Sequence, residues 1–125
     1  LWTKFVLLAS NSGMASLTRQ DSGAFISDPA IELVWRRALA ETAAVGRAKG
    51  VALDDKVVEN CVKWVKDNPP IKPSMLVDLE RGRKLELDWL TGTIHRLGLE
   101  TGVPTPTHDT IYAALHPFVN GAAAA

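Results

Sequence analysis

The amino-acid sequence predicts an all-α fold, a helical bundle of about six helices. Apolar residues recur at three- and four-residue spacing along most of the 125-residue chain, as they do on the buried face of a helix. Signals for the start and the end of helices, such as Asp28-Pro29 and Gly50, separate these stretches. No stretch of useful length alternates apolar with polar residues, so strands are not expected.

The first two predicted helices lie before residue 50. Helix one ends near Arg19 and carries small residues on one face, which would let another helix approach closely: Ala9, Ser12, Gly13 and Ser16. The stretch 20–27 is predicted to be a loop. Asp28 then caps helix two, which begins at Pro29 and ends near Lys49.

The third and fourth predicted helices are separated by a loop rich in proline. Asp54 or Asp55 is expected to cap helix three, which Asn68-Pro69-Pro70 ends. Helix four starts at Ser74 and is interrupted near Gly82.

Two further helices complete the prediction. A fifth helix is expected from about Leu85, and Thr107 is expected to cap the last one. We assign 1–120 to one domain and 121–125, a glycine followed by alanines, to a tail. Because the chain begins with Leu1 inside an apolar run, we expect it to be part of a longer protein.

The composition argues against several classes of partner. Fourteen basic residues balance fourteen acidic ones, so no broad positive field would attract nucleic acid or an anionic membrane. The opening apolar run is interrupted by Lys4, Asn11 and serines, which favours a buried helix over a membrane span. The lone Cys61 cannot form an internal disulfide, which agrees with a cytoplasmic location and with a small buried residue on a helix. The three histidines lack metal-ligand spacing, so no metal site is assigned.

The segment from Pro73 to Gly92 carries the densest chemistry in the chain. It combines a serine at a helix start with acids at turn spacing and two arginines around a glycine. Free N–H groups and a hydroxyl at a helix start can hold a carboxylate or a phosphate. A capped, amphipathic surface helix is the structural alternative for this pattern.

Four elements in order resemble the C-terminal domain of the ketopantoate reductase (2-dehydropantoate 2-reductase) family: Trp2-x-Lys4, Pro73-Ser74-Met75 with Asp78, Arg83-x-x-Glu86-x-Asp88-x-x-x-Gly92, and Gly102-Val103-Pro104-Thr105-Pro106. The resemblance covers nearly the whole chain. It implies a two-domain oxidoreductase of pantothenate biosynthesis, in which an N-terminal Rossmann domain binds NADPH and this helical domain binds a 2-keto acid. The reaction, reduction of 2-dehydropantoate to pantoate, would take place in the cleft between them.

The resemblance also implies roles for individual residues. Lys4 matches the catalytic lysine, Ser74 the substrate-binding serine, and Glu86 a glutamate near the lysine and the nicotinamide ribose. Asp78 and Glu41 match further acids of the family. We therefore expect Lys4 and Glu86 to act in catalysis and to approach one another, Glu86 also to contact the cofactor, and Ser74 to bind substrate.

One part of the chain departs from the family pattern. Family members commonly have asparagines four and eight residues after the lysine, whereas this chain has Leu8 and Ser12 there. Asn11 lies one residue from Ser12, which turns it by about 100° on a helix. Ser12 and Asn11 remain candidate substrate-binding residues, and Leu8 makes that wall more apolar, which leaves a related 2-keto acid open as the substrate.

Structural alternatives exist for each candidate residue. Lys4 could extend into solvent, Ser74 could be an ordinary cap, Glu86 could lie on a solvated face, and Glu41 could pair with Arg37. The sequence contains no Gly-x-Gly-x-x-Gly fingerprint, so this chain is expected to be inactive without a nucleotide-binding domain. The alternative function is a non-catalytic dimerisation module with the small-residue face of helix one as its interface. A homodimer is compatible with either function.

Overall fold

The computed structural model describes residues 1–121, so the predicted tail, apart from Gly121, lies outside the described residues. Within this range the chain is all-α, as predicted, and contains no strand. The elements are α1 (Trp2–Thr18), α2 (Gly23–Ser27), α3 (Pro29–Ala48), α4 (Val57–Asp67), α5 (Ser74–Glu80), α6 (Thr91–Thr101), α7 (Pro106–Leu115) and a final 3-10 turn (His116–Phe118). Each helix of this range is too short or too polar to span a bilayer.

Helix α3 is the centre of the bundle. It contacts α1, α2, α4, α6 and α7. Its inward face includes Trp35 and Leu39, both with no solvent exposure. At about 1.5–3 kcal/mol for each large apolar side chain that is removed from water, this face is a main source of the stability of the bundle.

The small residues of α1 allow helices of the same chain to pack closely against it. A Cβ atom on Gly13 would lie 3.0 Å from Thr91 Oγ1 and 3.2 Å from Ile111 Cγ2. Ala9, Ser12 and Ser16 are buried as well. The expectation that this face serves as a dimer interface is therefore wrong, because the face is covered inside the bundle.

The predicted cap of α3 is confirmed, and the predicted caps of α4 and α7 are corrected. Asp28 Oδ1 accepts hydrogen bonds from the N–H groups of Ala30 (2.9 Å) and Ile31 (3.4 Å). Asp54 does not cap α4, because its Oδ1 accepts a hydrogen bond of 2.7 Å from the N–H of Lys56, in the turn before that helix. Helix α7 begins at Pro106, because proline has the φ of a first helical residue, and Thr107 thus lies inside the helix.

Two segments differ from the sequence prediction. Residues of the predicted loop 20–27 form the short helix α2, which is anchored by the buried Phe25. The predicted fifth helix begins at Thr91 instead of Leu85. In the segment 85–88, buried and exposed residues alternate: Leu85 and Leu87 are buried, and Glu86 and Asp88 are exposed. A helix cannot bury every second residue on one face, so this segment lies outside the helix.

Candidate active site

An open groove with a volume of about 690 Å³ lies beside the N-terminal half of α1. Helix α4 and the segment that leads into α5 form its other walls. The lining residues are Leu1, Thr3, Lys4, Leu7, Leu8, Asn11, Ser12, Ser22, Asn60, Cys61, Trp64, Ile71, Pro73 and Ser74.

The groove brings together most of the residues that were predicted to form a site. Lys4, Asn11, Ser12 and Ser74 all line it, although Ser74 is far from the others in sequence. Lys4 is exposed and forms no ion pair within residues 1–121. Ser74 is also exposed, and its hydroxyl makes no capping bond, because Pro73 holds the cap position of α5. The structural alternative of an ordinary cap is thus not what the structure has. The ammonium and the hydroxyl are thus both available to a ligand.

Helix geometry explains why these α1 residues share one wall. Positions 4, 8 and 11 follow the four- and three-residue spacing of one helix face, and Ser12 lies beside them. Lys4 at one end of the wall is exposed, whereas Ser12 is 3% exposed and lies at the floor. The polar groups therefore reach from the mouth of the groove into the bundle.

Asn11 is held in place by a residue of the core. The indole Nε1–H of Trp35 donates a hydrogen bond of 2.7 Å to Asn11 Oδ1. Trp35 has no solvent exposure, and its ring lies 5.0 Å from the ring of Phe25, centroid to centroid. The Asn11 side chain is consequently fixed from behind by a residue that cannot easily move.

The outer part of the groove is apolar. Leu8, Trp64 and Ile71 are 51%, 44% and 47% exposed and line the same groove, and such a cluster of exposed apolar side chains marks a binding surface. Ile71 is held by backbone and side-chain bonds to Ser22, because Ser22 N–H donates to Ile71 O (3.0 Å) and Ile71 N–H to Ser22 Oγ (2.8 Å). This rim gives the groove a surface suited to hydrocarbon.

Sequence reasoning missed the α4 wall. Asn60 and Trp64 line the groove from exposed positions one turn apart, and that spacing on the polar face of α4 was the available signal. Cys61 also lines the groove, and burial raises the pKa of its thiol to about 11. The thiol is therefore neutral near pH 7, in agreement with its predicted role as a small buried residue.

Glu86 lies elsewhere. It is exposed, does not line the groove and forms no ion pair with Lys4 in the part of the chain that the structure describes. Its neighbours Leu85 and Leu87 are buried in the core and fix the segment that carries it. The approach of Lys4 and Glu86 thus remains a prediction. The carboxylate of Asp78, another acid that matches the family by resemblance, pairs with Arg83, with 3.8 Å between Asp78 Oδ1 and an Arg83 guanidinium nitrogen.

Glu41 has a structural role that its spacing from Arg37 did not predict. Its two carboxylate oxygens accept from the N–H groups of Thr107 (2.9 Å) and His108 (3.0 Å), at the start of α7. A carboxylate is favoured there by the free N–H groups and by the helix dipole. Glu41 therefore links α3 to α7, outside the groove.

His108 belongs to the same contact between α3 and α7. Its Nε2 lies 2.9 Å from Ala38 O and 2.8 Å from Thr42 Oγ1, so Nε2–H donates to the carbonyl group. Burial lowers the pKa of His108, against weaker raising effects of the Ala38 bond and of the nearby acids Glu41 and Asp109. The neutral ring is thus part of the core. The described residues contain no cluster of three or more potential metal ligands.

Comparison with known proteins identifies the family of the chain. The family model described as "Ketopantoate reductase PanE/ApbA C terminal" matches residues 1–119. A 2-dehydropantoate 2-reductase of Mycobacterium tuberculosis is 36% identical over 121 residues, which are 96% of this chain and 40% of that protein. The chain thus spans well under half the length of this relative.

Solved structures show the same relationship. A 2-dehydropantoate 2-reductase from Methylococcus capsulatus superposes with a TM-score of 0.85 at 32% identity, over 93% of this chain and 37% of that one. A dimeric ketopantoate reductase from Staphylococcus aureus gives a TM-score of 0.87 at 26% identity, over 94% of this chain and 42% of that one. The chain therefore belongs to the ketopantoate reductase family and corresponds to its C-terminal, all-α domain.

Proposed function

We propose that this chain is the substrate-binding and catalytic domain of an NADPH-dependent 2-keto acid reductase that converts 2-dehydropantoate to pantoate. The observation that carries the proposal is the convergence of Lys4, Asn11, Ser12 and Ser74 on one groove. Lys4 provides a cation, Asn11 an amide amino group, and Ser12 and Ser74 hydroxyl groups. These groups suit a small anionic substrate that has a carbonyl group. The chain would act together with an N-terminal nucleotide-binding domain. The protein that contains both domains is called the two-domain protein below.

The cofactor would be bound mainly by the other domain. The sequence has no glycine-rich loop to hold a pyrophosphate, and Glu86 is the predicted contact in this chain, where its exposed carboxylate can accept a hydrogen bond from a ribose hydroxyl. When bound, the reduced nicotinamide would supply a hydride to the substrate. Calorimetry on residues 1–125 alone should show no appreciable heat with NADPH, and micromolar binding would mean that the cofactor site is misassigned.

Lys4 would stabilise charge and supply a proton. Reduction of a ketone leaves negative charge on the carbonyl oxygen, and an ammonium group in the groove can both balance that charge and protonate the oxygen. The exposed Lys4 has no carboxylate partner in the described residues that would compete for its ammonium group. Its Nζ is thus free to meet the reacting oxygen.

Ser74, Ser12 and Asn11 would hold the substrate. Ser74 at the start of α5 can donate its hydroxyl to the substrate carboxylate, and a bond to a charged group is worth about 1.5–3 kcal/mol. Ser12 at the floor of the groove can bond a second oxygen. These contacts exist before the reaction, so they should lower KM more than they raise kcat.

The apolar rim favours a second candidate substrate. Leu8 stands where the family commonly has an amide, and with Trp64 and Ile71 it forms an exposed hydrocarbon surface. A branched 2-keto acid without a terminal hydroxyl would pack against this surface without leaving a polar group unpaired. The alternative substrate is therefore 3-methyl-2-oxobutanoate, the analogue of 2-dehydropantoate that lacks its hydroxymethyl group.

Steady-state kinetics on the two-domain protein tests the proposal. NADPH oxidation should require a 2-keto acid, and kcat/KM for the two candidates decides between the substrates. Leu8→Asn should shift the ratio towards 2-dehydropantoate, because it restores a hydrogen-bonding group, whereas Leu99→Asn, at an exposed leucine outside the groove, should not change it. If no 2-keto acid supports oxidation, the proposal fails and a non-catalytic role is favoured.

The location and oligomeric state remain predictions. A cytoplasmic location is expected from the lone Cys61, and a homodimer is expected because the Staphylococcus aureus relative is described as dimeric. Analytical ultracentrifugation of the two-domain protein tests the second prediction, which would be contradicted by a monomer at micromolar concentration.

A further inference from the structure

We propose that Trp35 is a positioning residue that fixes the orientation of the Asn11 amide, so that the amino group of Asn11 faces the groove and donates to an acceptor oxygen of the keto acid. This inference rests on the proposed function, because it names a determinant of substrate binding in the same groove. It assigns to Asn11 the donor role that Leu8 cannot fill.

The chemistry of the indole ring decides the orientation of the amide. The two ends of an asparagine amide have nearly the same shape, so their orientation follows from their hydrogen-bond partners. An indole N–H can only donate, and it therefore needs the oxygen of Asn11, from which it lies 2.7 Å away. The amino group must then point away from Trp35.

Trp35 is well suited to hold this orientation. It has no solvent exposure and packs against Phe25, so its N–H cannot turn to water if Asn11 rotates. A flipped amide would set two donors against each other and leave a buried N–H without a partner. The side chain of Asn11 therefore has one favoured orientation before any ligand binds.

The opposite end of the Asn11 amide is free for a ligand. Asn11 lines the groove and is partly exposed, and its amino group has no hydrogen-bond partner in residues 1–121. An –NH₂ group can only donate, so it selects acceptors such as carboxylate or carbonyl oxygens and disfavours ammonium groups. This donor lies next to Ser12 and about two helical turns from Lys4, and all three residues line the groove. Because the donor is held rigidly, an anionic keto acid can bind to it without the entropy cost of ordering the Asn11 side chain.

A double-mutant cycle in the two-domain protein tests the inference. Asn11→Ala should raise the KM for the keto acid roughly 5- to 20-fold, with the KM for NADPH little changed. Trp35→Phe should raise the same KM several-fold while Asn11 is present and by less than about 2-fold in the Asn11→Ala background. Asn11→Asp should raise it at least as much as Asn11→Ala, because the carboxylate can still accept from Trp35 but cannot donate to the substrate.

Controls separate this role from general damage to the core. Trp89→Phe, at a 72% exposed tryptophan outside the groove, should leave all parameters unchanged. If Trp35→Phe does not fold, replacing Trp35 by benzothienylalanine keeps the ring shape and removes the N–H donor. An equal effect of the Trp35 substitution in both backgrounds, or an unchanged KM in Asn11→Ala, would overturn the inference. Loss of turnover in Lys4→Ala alongside either result would show that the proposed function stands without it.

Discussion

The groove beside α1 and the contact between α3 and α7 use similar residue types for opposite purposes. In the α3–α7 contact, both oxygens of Glu41 bond to backbone N–H groups, and His108 Nε2 meets Ala38 and Thr42. In the groove, Lys4 and Ser74 are exposed and have no ion-pair or capping partner among residues 1–121. Polar groups that are bonded within the chain hold the fold together, whereas exposed polar groups without a partner are available to a ligand.

The two family acids illustrate the same difference. By resemblance, Glu41 and Glu86 both match acids of the family, yet the oxygens of Glu41 bond to the N-terminus of α7 while Glu86 is exposed on the segment before α6. A match in sequence therefore does not distinguish a structural acid from a functional one. The hydrogen-bond partners of each carboxylate provide that distinction.

Glu41→Ala should have the largest effect on stability among the variants that test this comparison. It removes two hydrogen bonds to a charged group and leaves the first turn of α7 uncapped, so we expect a loss of about 2–3 kcal/mol in the free energy of unfolding. Urea unfolding of the isolated chain measures it. Glu100→Ala, at an exposed acid, should change the free energy by less than about 0.5 kcal/mol.

Ser74→Ala should affect binding and leave stability unchanged. Because the hydroxyl makes no capping bond, its loss should not weaken α5. The KM of the two-domain protein for the keto acid should rise roughly 5- to 150-fold, equivalent to about 1–3 kcal/mol. A fall in the unfolding midpoint without a change in KM would instead assign Ser74 to the fold.

His108→Gln should have an effect that appears at acidic pH, a weaker dependence of the free energy of unfolding on pH. Burial lowers the pKa of His108 in the folded state, so the unfolded state binds the proton more readily. Stability should therefore fall as the pH drops below about 6.5, with a slope of at most about 1.4 kcal/mol per pH unit. Unfolding between pH 7.5 and 5 should show a smaller slope in the variant. Equal slopes in both proteins would mean that His108 does not titrate on unfolding.

Local signals predicted much of the fold. The cap at Asp28, the start of α3 at Pro29 and the all-α class follow from caps and helical spacing, which act over a few residues. Helix α2 and the delayed start of α6 were not predictable in this way. They depend on burial of Phe25, Leu85 and Leu87, which is decided by helices distant in sequence.

The candidate site was predictable only through resemblance to a family. Spacing alone could not connect Lys4 with Ser74, because seventy positions separate them and only the packing of α1 beside α5 brings both to one groove. The partners of Asn11 and Glu41 were likewise hidden, because Trp35 and the start of α7 meet them through tertiary contacts. Sequence patterns indicated the residue types, and packing decided which of them remain unpaired.

The most direct test of this account measures kcat and the free energy of unfolding together for Lys4→Ala and Glu41→Ala in the two-domain protein. Lys4→Ala should lower kcat by roughly 10²- to 10⁴-fold and change stability by less than about 0.5 kcal/mol. Glu41→Ala should lower stability while each folded molecule retains near-native turnover. Near-native turnover in Lys4→Ala, or a loss of turnover per folded molecule in Glu41→Ala equal to that of Lys4→Ala, would contradict the account.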